Sequence, residues 1–147
     1  MRLIVGVAAV ALLGGCSDPV RPSAGALAEG TWGGNNAGVI VTTSVTHVHI
    51  GCTLGDIPIR VVADGDGRFD VEGDYVLRAY PVQLGPRLPA RFVGRVLGQT
   101  LVLNVTVDDT TTGRVEKLGP VSVRLGEAPQ LGPCPICTAK TMAARRR

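Results

Sequence analysis

Apolar residues recur at every second position through most of the chain, and this period of two is what most constrains its fold. Leu101, Leu103, Val105 and Val107 form the cleanest run. Side chains alternate between the two faces of a strand, whereas a helix repeats its apolar residues every three or four. The same parity joins Val39 to Val41 within Gly38–Thr43, and sets Val48 and Ile50 against His47 and His49 within Thr46–Cys52. Ile57, Ile59 and Val61 read as the next apolar face. Phe69, Val71, Tyr75 and Leu77 share a parity, with Gly73 marking a bend or bulge. Phe92 and Val96 alternate with Arg91 and Arg95, and the last run carries Val121, Val123 and Leu125. Pro120 lacks the amide a ladder needs, so it demands an edge or a bulge. No stretch carries a helical stripe.

Turn residues separate these runs: DGDG at Asp64–Gly67, LGQT before Leu101, DDTTTG after Val107, and a Pro-rich connection from Tyr80 to Pro89. Seven or eight short antiparallel strands in succession predict an all-β domain over residues 30–131. The expected form is an up-and-down meander closing into a small barrel, with a β-sandwich as the alternative.

The ends of the chain carry a different signal. Met1-Arg2 precedes an apolar run from Leu3 to Leu13, too short for the roughly 20 residues of a membrane span but suited to the core of a secretory signal. The run ends in LGGC, Leu13–Cys16, followed by Ser17. This resembles a bacterial lipobox, in which an aliphatic and two small residues precede a cysteine that is lipidated and becomes the new N-terminus. The resemblance implies a signal peptide over 1–15, a lipid on Cys16, and a tether over 16–29 rich in Pro, Ser and Ala. With Ser17 after the cysteine, it also implies an outer-membrane lipoprotein facing the periplasm in a diderm cell, or otherwise one on the outer face of the cell membrane.

Export changes how the cysteines are read, because disulfides persist in oxidising compartments. With Cys16 lipidated, Cys52, Cys134 and Cys137 remain, giving one pair and one leftover. Cys134-Pro-Ile-Cys137 has the spacing of a redox motif, but no βαβ pattern surrounds it. The structural reading joins Cys52 to Cys134 or Cys137. Cys134 is the favoured partner, because PQLGPC reaches it before the tail loses all pattern, and Cys137 is left as a free thiol. Residues 132–147 then form a basic, largely disordered tail.

Gly30-Thr31-Trp32 stands just before the first long strand. It resembles the G-x-W signature that opens lipocalin and avidin-type barrels, and this resemblance implies that Trp32 plugs one end, with a basic residue of the last strand, Arg124, packed over it. Avidin-type barrels carry an asparagine shortly after that tryptophan, where this chain has Gly33 and Gly34. TWGG, Cys52, the GRF turn exit, LGP and a closing cysteine are also similar to small bacterial lipoproteins, a family that implies no particular activity.

Composition narrows the function. Residues 30–130 hold nine Lys/Arg against ten Asp/Glu, and the formal net charge of +3 depends on the terminal arginines, so no basic surface for nucleic acid is expected. Ligand pockets are rich in aromatic residues, and this chain has only Trp32, Phe69, Tyr75, Tyr80 and Phe92. A filled aliphatic interior is expected over an open one. His47 and His49 share one strand face, an arrangement able to chelate zinc or copper, although Cys52 on the continued strand has the opposite parity. Asp64, Asp66 and Asp70 fail as a calcium loop, since Arg68, Phe69 and Tyr75 stand where a ligand, a glycine and a glutamate are needed. No nucleophile–base order or phosphate loop is present, so neither an enzyme nor a cofactor is expected. The sequence therefore reads as a lipid-anchored envelope module with a structural or protein-interaction role. A carrier of a small apolar ligand is the alternative, and metal binding at His47 and His49 is a third reading.

Overall fold

In the computed structural model, which describes residues 23–78 and 85–134, the alternating runs form β1 (Gly25–Ala26), β2 (Gly30–Gly34), β3 (Ala37–Val41), β4 (Thr46–Ile50), β5 (Thr53–Ile57), β6 (Val62–Ala63), β7 (Arg68–Val76), β8 (Leu88–Leu97), β9 (Thr100–Asp109) and β10 (Arg114–Leu125). Eight of them close an antiparallel barrel in the order β10-β2-β3-β4-β5-β7-β8-β9, and β1 and β6 pair separately. Apart from β6, each neighbour in the barrel is the next strand in the chain, so the meander is up-and-down and the sandwich alternative is excluded. Closure falls between β10 and β2, where Arg124 pairs with Gly33 and Leu125 with Trp32.

The expected turns are present. Asp64 Oδ1 accepts the amides of Asp66 and Arg68 at 2.9 and 2.8 Å, which fixes the DGDG turn. Gly98 bridges β8 and β9 with φ 59°, in the left-handed region that favours glycine. Around Pro120 the β9–β10 register shifts between Leu118 and Val121, as a proline inside a paired strand requires.

Three local expectations change. The face Ile57-Ile59-Val61 is not a strand: the chain leaves the barrel after Ile57, and Ile59 is 50% exposed while Ile57 and Val61 are buried. Gly73 is no bulge, because it continues the β7–β8 register opposite Ala90. Cys52 is not the end of a strand, since β4 stops at Ile50 and Gly51-Cys52 forms a two-residue connection with Gly51 at φ 57°. Within the stretch read as a tether, residues 23–29 are part of the domain. Gly25 and Ala26 pair with Ala63 and Val62, and the Leu27 amide donates to the Val61 carbonyl at 2.9 Å with its side chain in the core. The signal peptide, Cys16, the start of the tether, Tyr80 and Cys137 lie outside the described residues.

One hydrophobic cluster fills the barrel, from Leu27, Trp32 and Val123 through Val39, Val48, Phe92 and Leu103 to Val107. Its aromatic rings lie over glycines of the facing strands. A Cβ on Gly55 would come within 2.2 Å of the Tyr75 ring, one on Gly94 within 2.3 Å of Phe69, and one on Gly73 within 2.9 Å of Phe92. Gly55–Tyr75 and Gly94–Phe69 are register partners, so each ring occupies the volume its neighbour leaves open. Full burial of such a ring contributes up to about 3 kcal/mol.

Candidate functional site

A connected cluster of polar side chains lies on the outside of the barrel. On β4, Thr46, Val48 and Ile50 face the core, so His47 and His49 face outward. The turn at Gly51-Cys52 sets the β4–β5 register and places Asp56 directly opposite His47. The next step across the sheet brings Asp74 of β7 opposite Asp56. Two carboxylates directly opposed on one face repel. Arg87, just before β8, bridges them, with Nη1 donating to Asp56 Oδ2 at 2.9 Å and to Asp74 Oδ1.

His47 Nδ1 meets Asp56 Oδ1, and His47 Nε2 lies 2.9 Å from His49 Nε2. The rings meet edge to face, with centroids 4.7 Å apart and planes at 71°. Burial of the Asp56 carboxylate opposes its ionisation, but hydrogen bonds from His47 and Arg87 outweigh this and hold its pKa below the ordinary 3.8. Burial, and then the neighbouring His47, push the His49 pKa below 6.5, against a smaller upward pull from Asp56. Asp56 therefore stays a carboxylate and His49 favours the neutral imidazole, the form that offers a lone pair.

The other expected site residues lie apart from this cluster. Cys52 and Cys134 form a disulfide with Cα atoms 5.5 Å apart, spanning 82 residues. Cys52 is thus no metal ligand. The chain reaches it by crossing the outside of β2 and β3. The Asn36 amide donates to Gln130 O and the Gln130 amide to Gly34 O, both at 3.0 Å, and Pro129 lies where a Cβ on Gly38 would be. Gly30 and Trp32 stand on β2, where Trp32 is 1% exposed and its Nε1 donates to the Ala28 carbonyl at 3.0 Å. Arg124 does not cover that ring. It faces outward beside Glu127, and Leu125 is the residue opposite Trp32.

Among the described residues no group of three or more His, Cys, Asp or Glu is placed to hold a metal ion. The residues that sequence reasoning missed are Asp56, Asp74 and Arg87. Asp56 was within reach: once Gly51-Cys52 is read as a two-residue hairpin, counting back from it pairs Asp56 with His47. No local pattern marks Arg87. No protein-family model, curated protein or solved structure matches the chain.

Proposed function

We propose that the chain is a cell-envelope lipoprotein, anchored through lipid on Cys16, whose barrel is a structural or protein-interaction module working through its outer surface. The observation that carries this reading is the filled interior: Tyr75, Phe92 and Trp32 are 0%, 0% and 1% exposed, and inward glycines are covered by rings. A lipocalin-like carrier needs open volume in the place these rings take, so the packing supports a module over a carrier. On the outer surface Val62, 59% exposed, and Val93, 41% exposed, line one depression. A partner protein would cover such positions.

Two measurements on the full chain expressed in its own envelope test this together. Native mass spectrometry is expected to give the lipidated chain, less two hydrogens for the disulfide, with no further mass. A photo-crosslinking residue replacing Val62 or Val93 is expected to trap one defined partner, and the same residue at the buried Val48 to trap none. A non-covalent mass lost on denaturation, together with no crosslink from the outer face, would overturn the reading in favour of a carrier. Cys16→Ser should remove the acyl mass, and a wild-type chain whose mass carries no acyl groups would exclude lipid at that residue.

A further inference from the structure

We infer that His47 and His49 form a two-imidazole binding site for a divalent transition-metal ion of Cu2+ or Ni2+ type, oriented by Asp56. This goes beyond the envelope-module reading and does not depend on it. Both Nε2 atoms lie at the outer surface of β4, 2.9 Å apart. Two nitrogens this close can meet one ion at metal–nitrogen bonds of about 2.0–2.1 Å, whereas zinc sites draw on three or four protein ligands. Tetragonal coordination by nitrogen and water is the preference of Cu2+ and Ni2+, and Cu2+ heads the affinity order.

Asp56 supplies the orientation. With Asp56 accepting a proton from His47 Nδ1, Nε2 is the His47 nitrogen that keeps a lone pair, shared with His49 until an ion takes its place. Arg87 holds the second Asp56 oxygen at 2.9 Å, so this carboxylate acts behind the histidine and not as a ligand. The Nε2–Nε2 contact has room for one proton, so without an ion one ring donates to the other, and the Nδ1 bond to Asp56 makes His49 the donor. Binding moves that proton through solvent to His49 Nδ1, so two neutral imidazoles bind the ion and no proton is lost. No third His, Cys, Asp or Glu converges among the described residues, so water fills the remaining positions.

The test is a Cu2+ titration of the full chain with its free thiols alkylated and the disulfide intact, followed by electron paramagnetic resonance and affinity. One ion per chain with splitting from two imidazole nitrogens is expected. His47→Ala and His49→Ala should each weaken binding about tenfold or more, and Asp56→Asn by about tenfold with both nitrogens retained. If an alanine variant loses its fold by circular dichroism, His49→Gln makes the same comparison, keeping an amide to meet His47 but no imidazole. Unchanged affinity in His49→Gln, or a spectrum without two imidazole nitrogens, would overturn the site.

Discussion

Tyr75 makes stability at alkaline pH a direct test of the filled interior. Its ring lies over Gly55, and its hydroxyl reaches Thr53 Oγ1 at 2.7 Å. Burial pushes its pKa from 10.0 up to about 12, with the hydrogen bonds at its oxygen holding part of that rise back. The folded protein thus keeps the phenol proton at a pH where the unfolded chain has released it. Stability rises with pH only where the unfolded state binds more protons, and here the folded state binds more. The contribution of Tyr75 is therefore fully present below about pH 10 and is lost as pH climbs toward about 12. At 1.36 kcal/mol per pKa unit, the loss comes to about 3 kcal/mol. Urea unfolding of wild type and Tyr75→Phe across this range measures it. At neutral pH the variant should cost about 1 kcal/mol for the lost hydrogen bond. On going alkaline the two stabilities should converge and then cross. Tyrosinate absorbance gives a second readout, because the chain has only Tyr75 and Tyr80. Parallel loss of stability in both proteins, or ionisation of Tyr75 at the ordinary value in the folded state, would show that the interior is open to water.

Other perturbations follow from the same packing. Gly94→Ala drives a methyl to within 2.3 Å of the Phe69 ring, and thermal unfolding should show a loss of about 1–3 kcal/mol that Phe69→Leu partly relieves. Replacing Cys52 and Cys134 by serine opens a cross-link spanning 82 residues, for which loop entropy predicts a loss of about 4.5 kcal/mol. In that variant the Asn36 and Gln130 amides, bonded across the strap, should exchange with deuterium well before the β8–β9 ladder. Thr46 is 2% exposed and its Oγ1 has no partner among the described residues, so Thr46→Val should stabilise the fold by about 1 kcal/mol, read as a higher unfolding midpoint.

The period of two carried the barrel, and it failed where alternation outlasted the sheet. Ile57, Ile59 and Val61 keep their parity, yet the chain leaves the barrel sheet after Ile57, so parity there no longer means inside and outside. The opposite failure occurs before β2. Gly25 and Ala26 are too few to show any period, and Leu27 alone reaches the core from a stretch that otherwise looks like linker. For His47 and His49, parity gave the face they share, while their electrostatics depend on residues brought in by register. Asp56 arrives across one hairpin, Asp74 from β7, and Arg87 from just before β8. Arg124 shows the limit of an inherited pattern. The closing pair puts Leu125, one residue on, opposite Trp32, and that step turns the arginine outward.

Glycine explains most of what remained hidden, because it records a contact by the absence of a side chain. Gly55, Gly73 and Gly94 face inward and are flattened under Tyr75, Phe92 and Phe69. Gly33 and Gly38 face outward, where a Cβ would strike Ala128 backbone at 2.3 Å and the Pro129 ring at 2.6 Å. The first set lets few aromatic rings fill a barrel, and the second lets the chain after β10 lie flat across β2 and β3 on its way to Cys52. In sequence these positions look alike, as gaps in the alternation, and TWGG looks like a departure from an avidin-type pattern. The physical difference lies in what arrives from far along the chain. A bulky residue at Gly33 or Gly38 would lift the strap and move Cys134 away from Cys52, so these two glycines and the disulfide hold a single contact between them.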